Sequence, residues 1–329
     1  MNVLEVKNLA SHFFTREGVV KAVDGVSFSL GAGESLGLVG ESGCGKSMLA
    51  LSLLRLLDSP GKIVSGEMLL ANPAGNEQVD LLKLSTSAMR AVRGRRIAMI
   101  FQEPMTSLNP VYTIGDQIIE AVSLHEHLSK REMKKKAIEM LKLVGIPAAE
   151  KRVDDYPHQL SGGMRQRVMI SIALSCKPDI LIADEPTTAL DVTIQAQILE
   201  LILELKEKLG MALILISHDL GVIAEVAERV LIMYAGKIVE EGKTSEIFDR
   251  PLHPYTQGLM NTLPERADLR HKGHLPTIPG HVPSLIHLPL GCSFQERCAY
   301  VQTDCRQQPI PDDPCHTGRL VRCLHVPGI

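Results

Sequence analysis

The sequence predicts an α/β protein with a mainly parallel sheet, followed by a small cysteine-rich extension. Apolar runs at 180–183 and 212–216 alternate with helical patterns, and near-continuous apolar strands of this kind are typical of a sheet that is covered on both faces. A glycine-rich loop at 40–47 lies between a third apolar run and a helical pattern, which indicates a phosphate-binding loop. After residue 248 the character changes, because 11 of the 19 prolines lie beyond it.

Length and composition place the chain among ordinary globular proteins of one large or two moderate domains. Of its 329 residues, 45% are hydrophobic and 22% are charged. The net charge of -3 argues against a nucleic acid that is bound through general basicity. No apolar run approaches the roughly 18 residues of a membrane span, and the N-terminus lacks the apolar core of a secretory signal. We therefore expect a cytoplasmic protein.

The N-terminal part is predicted to contain short strands. The pattern predicts strands at 4–9 and 26–30, separated by turn signals at 17–18 and 24–25. Phe13 and Phe14 lie between these strands in a chain with only 3% aromatic residues. An aromatic ring before a phosphate-binding loop can stack on a purine base, or it can pack in the core. The residues alone leave both interpretations open.

The loop at 40–47 carries the strongest functional signal. Its glycines let successive main-chain N–H groups converge on phosphate oxygens, and the positive end of the following helix adds to this attraction. Lys46 supplies a charge for the β- and γ-phosphates, and the Ser47 hydroxyl is a Mg²⁺ ligand. A chance glycine turn would not have both a strand before it and a helix after it. The predicted nucleotide contacts of the loop are Gly40, Glu41, Ser42, Gly43, Cys44, Gly45, Lys46, Ser47 and Met48.

Cys44 lies inside this loop, next to a helix N-terminus. The positive end of a helix lowers the pKa of a nearby thiol and makes it more reactive. We therefore expect alkylation of Cys44 to block ATP binding, and bound nucleotide to protect the thiol. Equal labelling with and without Mg-ATP would contradict this placement.

Polar residues follow three predicted strands at their carboxyl ends, where ligands bind in open α/β sheets. The three strands are 96–101, 180–183 and 212–216. Asp184 suits the Mg²⁺ shell, and Glu185 can polarise an attacking water. His218 can donate to the γ-phosphate, and the amide oxygen of Gln102 can bind Mg²⁺. A solvated strand end or a structural histidine is the alternative, and the phosphate-binding loop earlier in the chain argues against it.

The remaining elements are predicted from periodicity and turn residues. Helices are expected at 113–127 and 129–144, and a hairpin is expected at 229–234 and 237–241. Ser129 is the expected N-cap of the second helix, with Glu132 completing a capping box. Ala235 and Gly236 form the turn of the hairpin.

A second anion site is predicted at 160–167, where a helix begins that continues to 174. Ser161 is the expected N-cap, and Gly162 and Gly163 leave the N–H groups of the first turn uncovered. An ordinary capped helix would not require two glycines there, since each costs about 1 kcal/mol relative to alanine. If the two phosphate-binding surfaces cannot meet within one chain, they must face each other across a dimer.

Together these motifs resemble the nucleotide-binding subunit of an ATP-binding cassette (ABC) transporter over about residues 1–250. The matching motifs are Walker A at 40–47, the Q-loop at Gln102, the signature at 160–164, Walker B at 180–185, the D-loop at 189–191 and the switch His218. The resemblance implies a P-loop ATPase domain at 1–255, with a RecA-like core, an antiparallel β subdomain and an inserted helical subdomain at about 103–178. A C-terminal domain, a proline-rich linker and then a cysteine-rich cap, is expected at 256–329.

The resemblance also implies roles for single residues. Phe13 matches the position that stacks on adenine, with Phe14 as the alternative. The implied catalytic residues are Glu185, His218, Lys46 and Gln102, and the implied Mg²⁺ ligands are Ser47, Gln102 and Asp184. In a head-to-tail dimer, Ser161, Gly162, Gly163 and Asp191 of one subunit would complete the ATP site of the other.

The C-terminal part resembles the oligopeptide/dipeptide importer branch, most closely its dipeptide ATPase subunits. The matching segments are 253–256, 278–283 and 291–298. This resemblance implies a peripheral protein at the cytoplasmic face of a bacterial inner membrane that powers the import of dipeptides, and also of heme or related small peptides. The implied partners are a homologous second ATPase subunit, two membrane permeases and an external peptide-binding protein. Oligopeptide and nickel import are the alternatives within this branch.

Five of the seven cysteines lie in the last 38 residues, and in a reducing compartment this clustering favours a metal site over disulfides. The C-x5-C-x6-C-x17-C pattern comprises Cys292, Cys298, Cys305 and Cys323. Four thiolates can bind Zn²⁺ or a [4Fe–4S] cluster. The short C-x2-4-C spacing of typical zinc sites is absent. The resemblance to importers that bind a [4Fe–4S] cluster at matching cysteines favours an iron–sulfur cluster. Cys315 leaves the fourth ligand open, free thiols or regulatory disulfides remain alternatives, and His316 and His325 are not expected to be ligands.

Two other classes of protein are alternatives to a transporter subunit. A soluble cassette ATPase that acts on nucleic acid or ribosomes would carry a long coiled-coil insertion or a second cassette, and neither pattern occurs in the sequence. An iron–sulfur regulatory module with vestigial nucleotide binding would lack a complete hydrolytic set. Glu185 and His218 are both present, which argues against that class.

Overall fold

The computed structural model describes residues 1–72, 77–102, 108–188, 190–263, 277–312 and 319–327. The chain divides into two compact units. The first comprises Met1–Val3, Leu30–Glu34 and Leu70–Ile214, and the second comprises Leu4–Ser29, Ser35–Leu69 and Leu215–Ile329. Among the described residues, no helix is both long enough and apolar enough to cross a bilayer.

The strands of the described ranges form a four-stranded and a six-stranded sheet, in the orders β2-β1-β4-β5 and β10-β9-β3-β8-β7-β6. The strands are β1 (Asn2–Thr15), β2 (Gly18–Gly31), β3 (Ser35–Val39), β4 (Gly61–Ala71), β5 (Gln78–Asp80), β6 (Ile97–Ile100), β7 (Ile180–Asp184), β8 (Ala212–Ile216), β9 (Arg229–Tyr234) and β10 (Lys237–Lys243). The pairs β3 with β9 and β6 with β7 are parallel, whereas β9 and β10 are antiparallel.

The α-helices of the described ranges follow the phosphate-binding loop and connect the later strands. They are α1 (Lys46–Leu53), α2 (Thr86–Val92), α3 (Ile114–Ser123), α4 (Lys130–Leu143), α5 (Ala149–Arg152), α6 (Gly162–Leu174), α7 (Val192–Leu209), α8 (Leu220–Val226), α9 (Thr244–Asp249) and α10 (Pro254–Asn261). Short 3-10 turns lie at Leu81–Lys83, Pro157–Gln159 and Asp304–Arg306. Helices α3 to α6 lie within the predicted helical insertion.

The predicted central strands and helix caps are confirmed. Every residue of β3, β7 and β8 is buried, as a sheet covered on both faces requires. The Ser129 hydroxyl accepts from the Glu132 N–H, and the Glu132 carboxylate accepts from the Ser129 N–H, so the capping box at α4 is complete. The turn between β9 and β10 has positive φ angles at Ala235 and Gly236, which matches the twist of a tight hairpin.

The prediction for the N-terminal strands was partly wrong. β1 and β2 are each 14 residues long, and the turn signal at 24–25 lies inside β2. Gly25 has a φ of +74°, which permits a local irregularity without ending the strand. Asp24 is paired with Lys237 at 3.0 Å and lies 3.7 Å from His12, so its carboxylate serves a charge cluster and not a turn. The sequence reasoning also missed β4, β5 and α2.

The described parts of the C-terminal segment are mostly irregular and pack on the β9–β10 hairpin within the second unit. The Glu241 N–H donates to the Leu320 carbonyl at 2.9 Å, and the Arg322 N–H donates to the Val239 carbonyl at 2.8 Å. The predicted boundary near 256 falls within α10, and the division at that residue stays a prediction. The phosphate-binding loop and the cysteine-rich segment both belong to the second compact unit.

Candidate functional site

The phosphate-binding loop connects β3 to α1 and is enclosed by the main chain of its neighbours. Gly45 has a φ of +110°, and a Cβ there would lie 2.1 Å from the carbonyl oxygen of Ala22. A Cβ on Gly40 would lie 2.2 Å from the carbonyl oxygen of Met233. Close main-chain contact therefore requires glycine at both positions, and at Gly45 the left-handed conformation requires it as well.

Lys46 is buried within this loop, and its ammonium contacts the loop itself. The Nζ atom donates to the carbonyl oxygen of Gly40 at 2.7 Å and to that of Glu41 at 3.1 Å. The positive charge thus lies where the sequence predicts the phosphates. A compact ammonium at this position can act as a point charge for an anion.

The predicted lowering of the pKa of the Cys44 thiol was wrong. Cys44 is fully buried, and burial raises the pKa of its thiol despite the nearby Lys46 charge. The desolvation of a thiolate outweighs the favourable helix N-terminus, because a buried anion loses its hydration. We therefore no longer expect this thiol to react readily in the folded protein.

Glu41 has two contacts that the sequence reasoning missed. Its main-chain N–H donates to the Tyr255 hydroxyl at 2.9 Å. Its carboxylate oxygens accept from Nη1 of Arg297 at 3.0 and 3.1 Å. Both partners come from the C-terminal part of the chain, over 200 residues away. No local sequence pattern indicates contacts over such a separation.

The other predicted nucleotide contacts of the second unit are His218 and Phe13. His218 is exposed two residues after the end of β8. Asp219 caps α8, and the Ser217 hydroxyl accepts from the Asp219 N–H at 2.9 Å. Phe13 is half-buried, and a Cβ on Gly61 would lie 2.7 Å from its ring. Phe14 is exposed, and Nζ of Lys62 lies 5.9 Å from its ring centroid. The assignment of adenine stacking to Phe13 stays a prediction.

In the first unit, the structure brings two predicted catalytic residues together. Glu185 follows β7, and its Oε2 accepts from Nε2 of Gln102 at 3.0 Å and from the Thr188 hydroxyl at 3.0 Å. The Gln102 amide oxygen is not used in this contact. Glu185 has a φ of +46°, a left-handed conformation that is uncommon for residues other than glycine and is frequent at functional sites. Asp184, at the end of β7, is buried. The role of Thr188 was not predicted.

The signature residues form the start of α6, as predicted. The Ser161 hydroxyl accepts from the Met164 N–H, and Ser161 and Gly162 are exposed. A Cβ on Gly163 would lie 2.9 Å from the Ile194 side chain, whereas a Cβ on Gly162 would meet nothing closer than 3.7 Å. Packing therefore accounts for Gly163, whereas the role of Gly162 in an ATP site stays a prediction. Asp191 caps α7 by accepting from the Ile194 N–H at 3.0 Å.

The four predicted metal ligands line one cavity of the second unit. The cysteines are Cys292, Cys298, Cys305 and Cys323. Burial raises the pKa of Cys292 to about 11, so a bare thiolate is disfavoured there. His325, which was not expected to be a ligand, also lines the cavity, and its Nε2 lies 2.8 Å from the Asp304 carboxylate. With Cys305, these two residues form a compact group of candidate metal ligands. Cys315 and His316 lie outside the described residues.

Comparisons with known proteins bear directly on these features. A family model described as "ABC transporter" matches residues 23–188, and one described as "Oligopeptide/dipeptide transporter, C-terminal region" matches residues 239–305. The probable peptide ABC transporter ATP-binding protein y4tR of Sinorhizobium fredii is 54% identical over 98% of this chain and 94% of its own length. The dipeptide transport ATP-binding protein DppD of Haemophilus influenzae is 52% identical over 99% and 96%.

Solved structures show the same fold. The dimeric ATP-binding cassette MJ0796 in a post-hydrolysis state, bound to ADP and phosphate, is 29% identical, with a TM-score of 0.63 over 73% of this chain and 98% of that chain. The cbiO1 protein of Clostridium perfringens is 27% identical, with a TM-score of 0.62 over 76% and 91%. From these motifs, their geometry and these relatives, we conclude that the chain belongs to the ATP-binding subunits of ABC transporters and is an ABC-type ATPase.

Proposed function

We propose that this chain hydrolyses ATP to power the import of dipeptides through a bacterial inner-membrane transporter. Relatives that are 54% and 52% identical over nearly the whole chain are named as ATP-binding proteins of peptide and dipeptide transport. The matched C-terminal region of oligopeptide/dipeptide transporters supports the same branch. Heme and related small peptides are further cargoes of this proposal, oligopeptide and nickel import are the alternatives, and the experiment below separates these cargoes.

In the proposed mechanism, the phosphate-binding loop and Lys46 bind the triphosphate, and Ser47, Gln102 and Asp184 would hold Mg²⁺. Mg²⁺ neutralises charge on the phosphates when it is bound. Glu185 polarises the attacking water, and His218 donates to the γ-phosphate. Phe13 stacks on the adenine. The partner ATPase contributes the remaining contacts, which are Ser161, Gly162, Gly163 and Asp191. Catalysis in such a site is mainly positional and electrostatic.

The observation that carries the hydrolytic part is the hydrogen-bonded Glu185 carboxylate. Gln102 and Thr188 both donate to the same oxygen, Oε2, at 3.0 Å. These two hydrogen bonds fix the position of the carboxylate at the end of β7. A general base needs a defined position before its pKa matters.

We further propose that the four cysteines bind a [4Fe–4S] cluster. Their convergence on one cavity fits an all-thiolate donor set. The cluster, when bound, would cross-link the segment that contains them. Anaerobically purified protein should contain about four iron and four sulfide per chain, and Cys298→Ser should lose them. Stoichiometric zinc without iron would contradict this assignment.

The proposed partners are a homologous ATPase subunit, two permeases and an external peptide-binding protein. With these partners the chain would lie at the cytoplasmic face of the inner membrane as a peripheral protein. The dimeric solved structure of the similar cassette MJ0796 supports pairing of two ATPase subunits. Release of the chain from membranes of cells that lack the permeases would support this location.

The decisive experiment is ATPase activity of the complete assembly in proteoliposomes. We expect binding protein loaded with dipeptide to stimulate hydrolysis, and Glu185→Gln to abolish the stimulation. Binding protein loaded with oligopeptide, heme or nickel serves as the comparison. Stimulation by one of these and not by dipeptide would replace the cargo, and stimulation by RNA without permeases would contradict the transporter role.

A further inference from the structure

Arg297 of the cysteine-rich segment forms a buried ion pair with the phosphate-binding loop. Its side chain is 4% exposed, whereas that of its partner Glu41 is 29% exposed. Both carboxylate oxygens of Glu41 accept from Nη1, at 3.0 and 3.1 Å. A buried guanidinium requires a carboxylate partner, because leaving it uncompensated is strongly unfavourable.

The guanidinium is fixed by groups other than Glu41. Nε donates to the Pro279 carbonyl at 2.8 Å, and the guanidinium lies 5.8 Å from the ring centroids of both Tyr234 and Phe294. These rings also pack against Tyr255, at centroid distances of 4.6 and 5.5 Å. These contacts hold Arg297 in place independently of Glu41, so the guanidinium can fix the position of the Glu41 carboxylate.

Glu41 in turn connects this cluster to the predicted phosphate contacts. Its N–H donates to the Tyr255 hydroxyl at 2.9 Å, and its carbonyl accepts from the Lys46 ammonium at 3.1 Å. The loop around it contains three glycines, which give the main chain wide conformational freedom. The contacts of Glu41 with groups outside the loop restrict the conformations of the loop. The conformational entropy that is lost on ATP binding is therefore smaller.

We propose that Arg297 is a positioning residue for ATP binding, which acts through Glu41 together with the Tyr255 hydroxyl. The cysteine-rich segment thereby sets the conformation of the phosphate-binding loop. This inference deepens the proposed function, since it concerns the same ATP site. It assigns a role in nucleotide affinity to a segment that contains none of the predicted nucleotide contacts.

The test compares variants of the full-length chain in the assembled transporter. Arg297→Met retains bulk but removes the charge, and Tyr255→Phe removes only the hydroxyl. We expect Arg297→Met to raise the KM for ATP about tenfold, which lies within the range of coupling energies between contacting residues. The kcat should stay within about twofold of the original value. Tyr255→Phe should raise the KM about threefold, and Arg297→Lys should recover part of the loss.

Two controls make the result specific. Arg306 pairs with Glu296 at 2.7 Å in the same segment but on the surface, so Arg306→Met should not change the KM. In a double-mutant cycle, Glu41→Gln combined with Arg297→Met should be no worse than Arg297→Met alone.

The outcomes separate this inference from the proposed function. Unchanged KM in both Arg297→Met and Tyr255→Phe, with only a lower melting temperature, would overturn the positioning role. An equal fall of kcat in both variants, without a change in KM, would also overturn the positioning role. If Arg297→Met does not fold, Tyr255→Phe and Arg297→Lys decide by the same criterion. Failure of the unaltered chain to bind a fluorescent ATP analogue would instead overturn the proposed function, with Lys46→Ala as the non-binding reference.

Discussion

At the scale of single residues, Glu185 combines a left-handed main chain with a carboxylate that accepts two hydrogen bonds on one oxygen. Non-glycine residues in this conformation cost about 1–3 kcal/mol and persist where the surroundings determine them. Here the surroundings include Gln102 and Thr188, which both donate a hydrogen bond to the Glu185 carboxylate. The strand end is therefore built to orient one carboxylate oxygen, which an ordinary solvated strand end does not need.

Replacement of Glu185 by glutamine should remove hydrolysis and retain ATP. The amide keeps the shape of the side chain but cannot accept a proton from water, so we expect kcat to fall by about 100-fold or more. ATP should then stabilise a dimer of ATPase subunits, which size-exclusion chromatography with Mg-ATP can measure. Thr188→Val, which removes only one hydrogen bond to the same oxygen, should give a smaller loss. Turnover above a tenth of the original rate in Glu185→Gln would contradict the role of the base.

Cys44 should resist alkylation in the folded protein. It is fully buried and the pKa of its thiol is raised by burial, so both access and thiolate population are low. Mass spectrometry after treatment with N-ethylmaleimide should show modification of half-buried Cys176 before Cys44, with or without Mg-ATP. In urea the two thiols should react alike. Rapid labelling of Cys44 in the native chain, suppressed by Mg-ATP, would restore the interpretation from the sequence.

At the scale of elements, the start of α6 separates packing from function. A Cβ on Gly163 would lie 2.9 Å from Ile194, whereas a Cβ on Gly162 has space. Gly163→Ala should therefore destabilise the chain by about 1–3 kcal/mol. Gly162→Ala should instead stabilise the chain by up to about 1 kcal/mol, but should reduce the ATPase activity of the assembled complex, because the methyl group would cover the predicted anion site. Thermal melting and ATPase assays of both variants provide the comparison, and full activity of Gly162→Ala would argue against the site.

The start of α10 makes stability dependent on pH. His253 is buried, its Nδ1 accepts from the Tyr255 N–H at 3.0 Å, and burial lowers its pKa to about 4. The unfolded chain, with an ordinary histidine pKa near 6.5, binds the proton more readily than the folded chain. Stability from this group is therefore complete above about pH 6.5 and is lost as the pH falls towards 4, by about 3 kcal/mol in total.

Asparagine at position 253 tests this sign. Its amide oxygen can cap α10 without titrating, so the urea midpoint of His253→Asn should fall less than that of the original chain between pH 6.5 and 4. The neighbouring Glu240 carboxylate accepts from the His253 N–H at 2.9 Å and pairs with Arg319 at 2.7 Å. Burial raises the pKa of Glu240, which favours folding at lower pH, and this opposing contribution is common to both proteins. Parallel midpoints would contradict the assignment to His253.

Local patterns predicted the elements that depend on local rules. The buried β7 and β8 follow from continuous apolar runs, and the α4 cap follows from Ser129 and Glu132. The Asp24–Gly25 signal failed because tertiary charge pairs kept that segment in β2. Contacts over 200 residues apart, such as Arg297 with Glu41, have no local signature. Local patterns thus predicted the candidate site residues, whereas the long-range contacts that position Glu41 are visible only in the structure.

At the scale of the whole molecule, the second compact unit contains both the phosphate-binding loop and the cysteine-lined cavity. Phe294 and His253 line that cavity, and Phe294 also packs on Tyr234 and Tyr255. A continuous set of buried side chains therefore leads from the cysteines to Glu41. Packed rings of this kind transmit a displacement because protein interiors have little free volume.

Loss of the proposed cluster should therefore weaken ATP binding. Cys298 directly follows Arg297, whose N–H donates to the Phe294 carbonyl at 3.0 Å, so release of this turn would free the guanidinium. We expect Cys298→Ser to lose iron and to raise the KM for ATP by about the factor expected for Arg297→Met, roughly tenfold. Combined with Arg297→Met, it should add little, since both changes act through one contact. Cys176→Ser, a half-buried thiol in the first unit, should change neither iron content nor KM. Iron-free Cys298→Ser with an unchanged KM would show that the cavity and the phosphate-binding loop are independent.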